Sequence, residues 1–131
     1  MDNLKIHHVG FAVKDIDDSL PNWILDGYEI AISPVDDIGI GVACALLVDE
    51  SGLSVELVAP LPGTNSLDSR LRRGGGLDHI CYITENLLAR LKLERENGAL
   101  VIMDPIVSVL FGNPVAFVLR KTGLLVEFIE L

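Results

Sequence analysis

Two stretches, IHHVGFAVKDI (6–16) and LDHICYITENL (77–87), decide how this chain is read. Set one over the other, they place His8 on His79 and Phe11-Ala12-Val13 on Tyr82-Ile83-Thr84. Each is a short apolar strand running into a helix start. The same displacement appears again further along. SVELVAP carries Glu56 and the C-terminal LVEFIEL carries Glu127, so the His pair and the Glu pair are both related by a shift of 71 positions. One such match could be chance; two at a single offset in matching apolar surroundings point to an internal repeat. Packing explains the recurring apolar residues. It does not explain an acid in the middle of an apolar strand, because acids are almost never fully buried unless paired or bound to a cation.

The repeat organises the rest of the chain. Residues 4–13 read as a strand. VKDIDDSL then opens a helix whose Asp15, Asp17 and Asp18 suit its positive N-terminus. Pro21 is expected in the first turn, where a missing N–H costs little, and the helix closes near Asp26-Gly27. Tyr28–Ser33, Gly41–Val48 and Leu53–Ala59 read as three further strands. The second half repeats the order. A strand covers Leu77–Thr84, and a helix covers Asn86–Glu96 with Leu87, Leu88 and Leu91 on one face. Strands follow at Ala99–Asp104, Val115–Leu119 and Leu124–Glu130. The expectation is one α+β domain over 1–131, built of two βαβββ modules at 4–60 and 77–131. The linker 61–76 has one helical turn at Ser66–Arg72 and a flexible Gly74-Gly75-Gly76 lead-in. Four strands alone leave a half-covered sheet. Two such sheets are expected to form one curved sheet around a central cleft.

Composition narrows the partners. The 131 residues carry a net charge of −9, which argues against nucleic acid. No apolar run reaches the ~18 residues of a membrane span, and the start has neither the basic nor the apolar region of a secretory signal. Cys44 and Cys81 belong to no Cys-x-x-Cys pair and read as buried free thiols, in keeping with a cytoplasmic protein.

Side chains alternate along a strand, so His8 shares a face with Ile6, Gly10 and Ala12, and His79 with Cys81 and Ile83. Glu56 lies with Ser54 and Val58, and Glu127 with Leu125 and Ile129. If all four face one cleft, two imidazoles and two carboxylates make a ligand set for a divalent transition ion. Zn, Co, Ni, Mn and Fe are all compatible, and no further cofactor is expected.

With those phrases in hand, the chain resembles the vicinal oxygen chelate superfamily, closest to its methylmalonyl-CoA epimerase-like and glyoxalase-like branch. The resemblance rests on IHHVGFAVKDI, VELVAPL, GLDHICYI and GNPVAF…KTGLLVEFIEL, and spans nearly the whole chain. It implies the fold of the glyoxalase, bleomycin resistance and dihydroxybiphenyl dioxygenase proteins, and metal ligands at His8, Glu56, His79 and Glu127. It further implies isomerase or lyase chemistry through an enolate-like intermediate on a small carbonyl or acyl-thioester substrate, with Glu127 as a catalytic group, in a homodimer. The alternative is a small-molecule binding or resistance-type protein of the same fold without catalysis. The match departs at Gly39-Ile40, where the epimerases place an acid and a glutamine. Asp36 and Asp37 nearby read as solvated loop residues. His7 reads as a surface or core polar residue, and Trp23 and Tyr28 as helix packing. The cluster Arg70, Arg72 and Arg73 is ordinarily a solvated face, and a contact with a substrate anion is the rarer reading.

Overall fold

The computed structural model describes residues 3–131. The chain runs β1 (Ile6–Ala12), α1 (Ile16–Leu25), β2 (Glu29–Asp37), β3 (Val42–Val48), β4 (Ser54–Pro60), α2 (Asp68–Arg72), β5 (Gly76–Thr84), α3 (Leu87–Glu96), β6 (Leu100–Val107), β7 (Pro114–Leu119) and β8 (Leu125–Glu130). It divides into two compact units, one of His8–Asp78 and one of the segment through His7 together with His79–Leu131. Strands follow the order β2-β3-β4-β1 in the first and β5-β8-β7-β6 in the second. In each, the first and last strands of the module pair in parallel and the rest form an antiparallel meander. This is the α+β, paired βαβββ architecture that the repeated phrases imply.

The repeat holds residue for residue. A shift of 71 carries α1 onto α3 and the pair Gly10↔Glu56 onto Cys81↔Glu127. It likewise carries Leu46↔Glu56 onto Phe117↔Glu127, and Val35↔Cys44 onto Ile106↔Val115. Even the irregularities recur. The outer strand β2 shifts register between Ile30 and Val35, around Pro34; β6 does so between Val101 and Ile106, around Pro105. Proline has no N–H to give a ladder, so it belongs on an edge strand or at a bulge.

Both long helices start on the same device. The side chain of Asp15 accepts a 3.0 Å bond from the Asp18 N–H, and that of Asn86 accepts a 3.0 Å bond from Ala89. Each thereby satisfies one of the donors that a helix start leaves unpaired. A Glu130 carboxylate oxygen accepts a 2.7 Å bond from the Leu87 N–H and adds to the second cap. Each helix covers one face of its own sheet. Ile16 of α1 is buried with Ala45, Leu47, Val55, Leu57 and Ala59, and Leu20 and Trp23 pack against them. Leu87 and Leu91 of α3 are buried with Ala116, Val118, Val126 and Phe128. The ring of Trp23 lies 5.2 Å from Phe11 and 5.1 Å from Tyr28, as its reading as a packing residue requires.

Where Trp23 stands in α1, the shift places Glu94 in α3, and the packing solution changes. Glu94 is buried. Its carboxylate accepts from Arg90 Nη2 at 2.8 Å and from Arg120 Nε at 2.9 Å. The two guanidinium groups in turn stack near Phe128 and Tyr82, at 5.1 and 5.9 Å from the ring centres. An acid inside a helix–sheet contact is tolerable when it is paired in this way.

Three local expectations are corrected. Pro21 is the sixth residue of α1 rather than part of its first turn. The carbonyl it leaves without a partner belongs to Asp17, which is exposed and open to water. Leu88 does not share the buried face of Leu87 and Leu91; it is 71% exposed. The glycine run is not a flexible lead-in. The N–H groups of Gly74 and Gly75 bond at 3.0 Å to the carbonyls of Leu71 and Arg70, and Gly76 already belongs to β5. Gly75, at φ +81, passes so close to β1 that a Cβ there would lie 2.7 Å from the Ala12 carbonyl oxygen.

Candidate metal centre

Partner residues in a ladder share a sheet face, and so do residues two apart along a strand. Gly10 is the partner of Glu56 on β4, and His8 lies two residues before Gly10 on β1. His8 and Glu56 are therefore diagonal neighbours on the face opposite α1. The same register applies to Cys81, Glu127 and His79 on β5 and β8. The 71-residue offset seen in the sequence is thus the sequence record of two equivalent parallel ladders.

The side chains meet as the register requires. His8 Nε2 lies 3.3 Å from Glu56 Oε1, and His79 Nε2 lies 3.3 Å from Glu127 Oε1. All four residues are buried, with 0% exposure at His8, 7% at Glu56, 1% at His79 and 3% at Glu127. A charge-assisted N–H···O bond would be shorter, ~2.7–2.9 Å. Two ligand atoms each ~2.1 Å from a common ion, at an angle of roughly 100°, are about 3.3 Å apart. Both pairs match the second geometry, and imidazole nitrogen with carboxylate oxygen is the chemistry such an ion takes. The residues present therefore fit a divalent metal.

The surroundings contain features that the sequence did not mark. Phe117, the ladder partner of Glu127, sets its ring edge-on to His79 at 5.4 Å between centroids. Its only signal in the sequence is the alternation of β7. His7 is half-buried and packs edge-on against Phe111 at 4.8 Å. Cys44 and Cys81 are buried and form no disulfide. Asp36 and Asp37 both lie in β2 rather than in a loop; Asp36 is exposed as expected, but Asp37 is only 2% exposed. Asp37 pairs with Val42, which pairs with Pro60, so it lies on the same face as Glu56. Its Oδ1 accepts a 3.3 Å bond from the Ile40 N–H, closing the turn that leads to β3. In the second module Ser108 does the same for Phe111 at 3.2 Å. The sequence hid this because the strand continues through Pro34 as far as Asp37.

Comparison with known proteins agrees with this geometry. Residues 7–117 match the model of the glyoxalase/bleomycin resistance protein/dioxygenase superfamily. An ethylmalonyl-CoA/methylmalonyl-CoA epimerase of Cereibacter sphaeroides is 30% identical over 130 residues, covering 94% of this chain and 95% of its own. The crystal structure of a hypothetical protein from Bacillus halodurans C-125 superposes with a TM-score of 0.81 at 28% identity, covering 99% of this chain and 96% of its own. A Streptomyces coelicolor methylmalonyl-CoA epimerase in complex with 2-nitronate-propionyl-CoA gives a TM-score of 0.81 at 23% identity, covering 98% of each chain; at that identity the likeness is one of fold. The repeated βαβββ module, the two His–Glu pairs and these matches lead to one conclusion: the chain belongs to the glyoxalase/bleomycin resistance protein/dioxygenase superfamily, and is related there to the methylmalonyl-CoA epimerases.

Proposed function

We propose that this protein is a divalent-metal-dependent epimerase or related isomerase or lyase that acts on a small acyl thioester through an enolate-like intermediate. His8 and Glu56 of one module and His79 and Glu127 of the other would hold the ion. The observation that carries this reading is the pair of buried His–Glu contacts, alike in register and both 3.3 Å long. The epimerase relative at 30% identity supports the reaction class.

When bound, a divalent ion polarises a carbonyl oxygen and stabilises the negative charge that develops there. The chain's own groups do the remaining work. As ligands, His8 and His79 would each present a nitrogen lone pair, and the ring of Phe117 packs edge-on against the second imidazole. Burial of all four side chains keeps competing water away and preserves the strength of charge interactions. Glu127 is assigned one of the two proton-transfer roles that an epimerase needs, exchanging a proton with the carbon α to the carbonyl at a carboxylate oxygen on one face, while inversion requires a second group on the opposite face. We further place the protein in the cytoplasm as a homodimer; among the described residues no helix is long and apolar enough to cross a membrane.

The test is exchange of the α-proton of acyl thioesters in deuterated water, combined with elemental analysis of freshly purified protein. One equivalent of a transition metal is expected, with exchange that stops on chelation and drops at least a hundredfold in Glu127→Gln. Tight thioester binding without exchange would instead identify a binding protein of the same fold. Light scattering reads the oligomeric state.

A further inference from the structure

The charge of the candidate site follows from its ligands. Imidazoles that hold a metal do so uncharged, and carboxylates do so as anions. A divalent ion held by His8, Glu56, His79 and Glu127 would therefore be neutralised by the two glutamates, with no positive charge left for an anionic ligand. All four side chains are buried, so solvent does little to screen a further charge there.

The strands supply no cation to make up the difference. Among the described residues, none of the ten Lys and Arg residues belongs to any of the eight strands. Lys5 and Arg120 come nearest in sequence, just outside β1 and β7, and Arg120 is bound to Glu94 of α3. Arg70, Arg72 and Arg73 belong to α2 and its cap. On the ligand face of module one the ladders set Leu46 opposite Glu56, Ile32 opposite Leu46 and Cys44 opposite Val58. Asp37, a further buried acid, shares that face. On the ligand face of module two they set Phe117 opposite Glu127, Met103 opposite Phe117 and Ile106 opposite Val115. Each glutamate thus has a large apolar residue as its ladder partner, with further apolar residues beyond it. An anion brought into such surroundings loses its hydration and gains no counter-charge.

We propose that the acyl group this protein accepts carries no free carboxylate: the substrate is a thioester whose α-carbon bears only uncharged, apolar substituents. The inference rests on the acyl-thioester reading above and narrows it. A carboxylate on the α-carbon would leave one uncompensated negative charge in the site. An alkyl group in its place adds no charge and buries apolar surface.

The test needs no turnover. The coenzyme A ester of 2,2-dimethylbutanoic acid, and its counterpart with a carboxylate in place of the ethyl group, have no α-proton and bind without reacting. Calorimetric titration of the zinc-loaded protein is expected to show the uncharged ester binding at least about tenfold more tightly. In Glu56→Gln, saturated with zinc as verified by elemental analysis, one positive charge is restored. The carboxylated ester is then expected to gain about tenfold on the uncharged one. Equal affinities in the native protein, or tighter binding of the carboxylated ester, overturn the proposal and leave the thioester reading standing. A preference that Glu56→Gln leaves unchanged overturns it as well, because charge is then not the cause. Binding of neither ester overturns both readings. A preference for the uncharged ester that Glu56→Gln narrows supports the proposal even if the 2-methylbutanoyl ester shows no α-proton exchange.

Discussion

Replacing Glu94 with alanine tests how the second module holds its helix to its sheet. The carboxylate is 8% exposed at the side chain and joins Arg90, at 18%, to Arg120, at 30%. Its removal leaves two guanidinium groups facing each other with no counter-charge and only partial access to water. Breaking a buried ion pair by deleting one partner costs about 3–5 kcal/mol, and the partial exposure of both arginines moves the expectation to the lower end, about 3 kcal/mol. For a chain of this size that corresponds to a fall in Tm of roughly 10 °C. Glu94→Gln keeps one acceptor and is expected to cost about half as much. The assay is urea unfolding followed by circular dichroism, with the midpoint and slope compared across Glu94→Ala, Arg120→Ala and the double variant. Coupling of about 1–3 kcal/mol between the two sites is expected, and it should persist at high salt because the pair is shielded. A loss under about 0.5 kcal/mol, or one that vanishes in salt, would show that the triad behaves as a surface pair and that the apolar contacts of Leu87 and Leu91 hold α3 unaided.

Other outcomes are expected. His8→Ala and His79→Ala should each reduce bound metal well below one equivalent while the circular dichroism spectrum stays folded; full metal content in either variant would remove that histidine from the ligand set. Gly75→Ala should destabilise by about 2 kcal/mol or more, since its Cβ meets the Ala12 carbonyl, whereas Gly74→Ala, with open space around it, should cost only the ~1 kcal/mol of a positive φ; equal melting temperatures would contradict the close approach. The Asp49 carboxyl is held below its ordinary value, chiefly by the hydrogen bond from the Ser51 hydroxyl. A depressed carboxyl contributes stability above its unfolded pKa and loses it as pH falls through the lower folded value. NMR titration should find the Asp49 midpoint below the usual range in the native chain, and moved back up in Ser51→Ala; no movement would remove that bond as the cause.

Much of this architecture was legible because duplication leaves a measurable offset. His8 and His79, Glu56 and Glu127 gave the period, and the period gave the order of strands and helices in each module. The parallel register then accounts for why each acid falls beside its histidine. What stayed hidden was non-local or depended on one backbone angle. Glu94 and Arg120 are 26 residues apart, and nothing in the helix pattern of α3 says that an acid there will be buried against an arginine just past the end of β7. Leu88 looked like a core residue on spacing alone, but the helix turns it away. Pro21 was expected at a helix start because isolated proline favours that place; the Asp15 cap fixes the start earlier. Asp37 looked like a loop acid because Pro34 seemed to end the strand. The glycine run looked loose in sequence, while in space Gly75 passes close against the end of β1.

The outer strands carry one more consequence. Pro34 and Pro105 sit at equivalent irregularities of β2 and β6, each flanked by an exposed acid, Asp36 or Asp104. An incoming chain that tried to lengthen either ladder would meet a missing donor, a bend and a negative charge within four residues. Fibril-like stacking is thereby discouraged at both margins, and copies of this chain that associate must do so through side-chain surfaces instead of backbone docking.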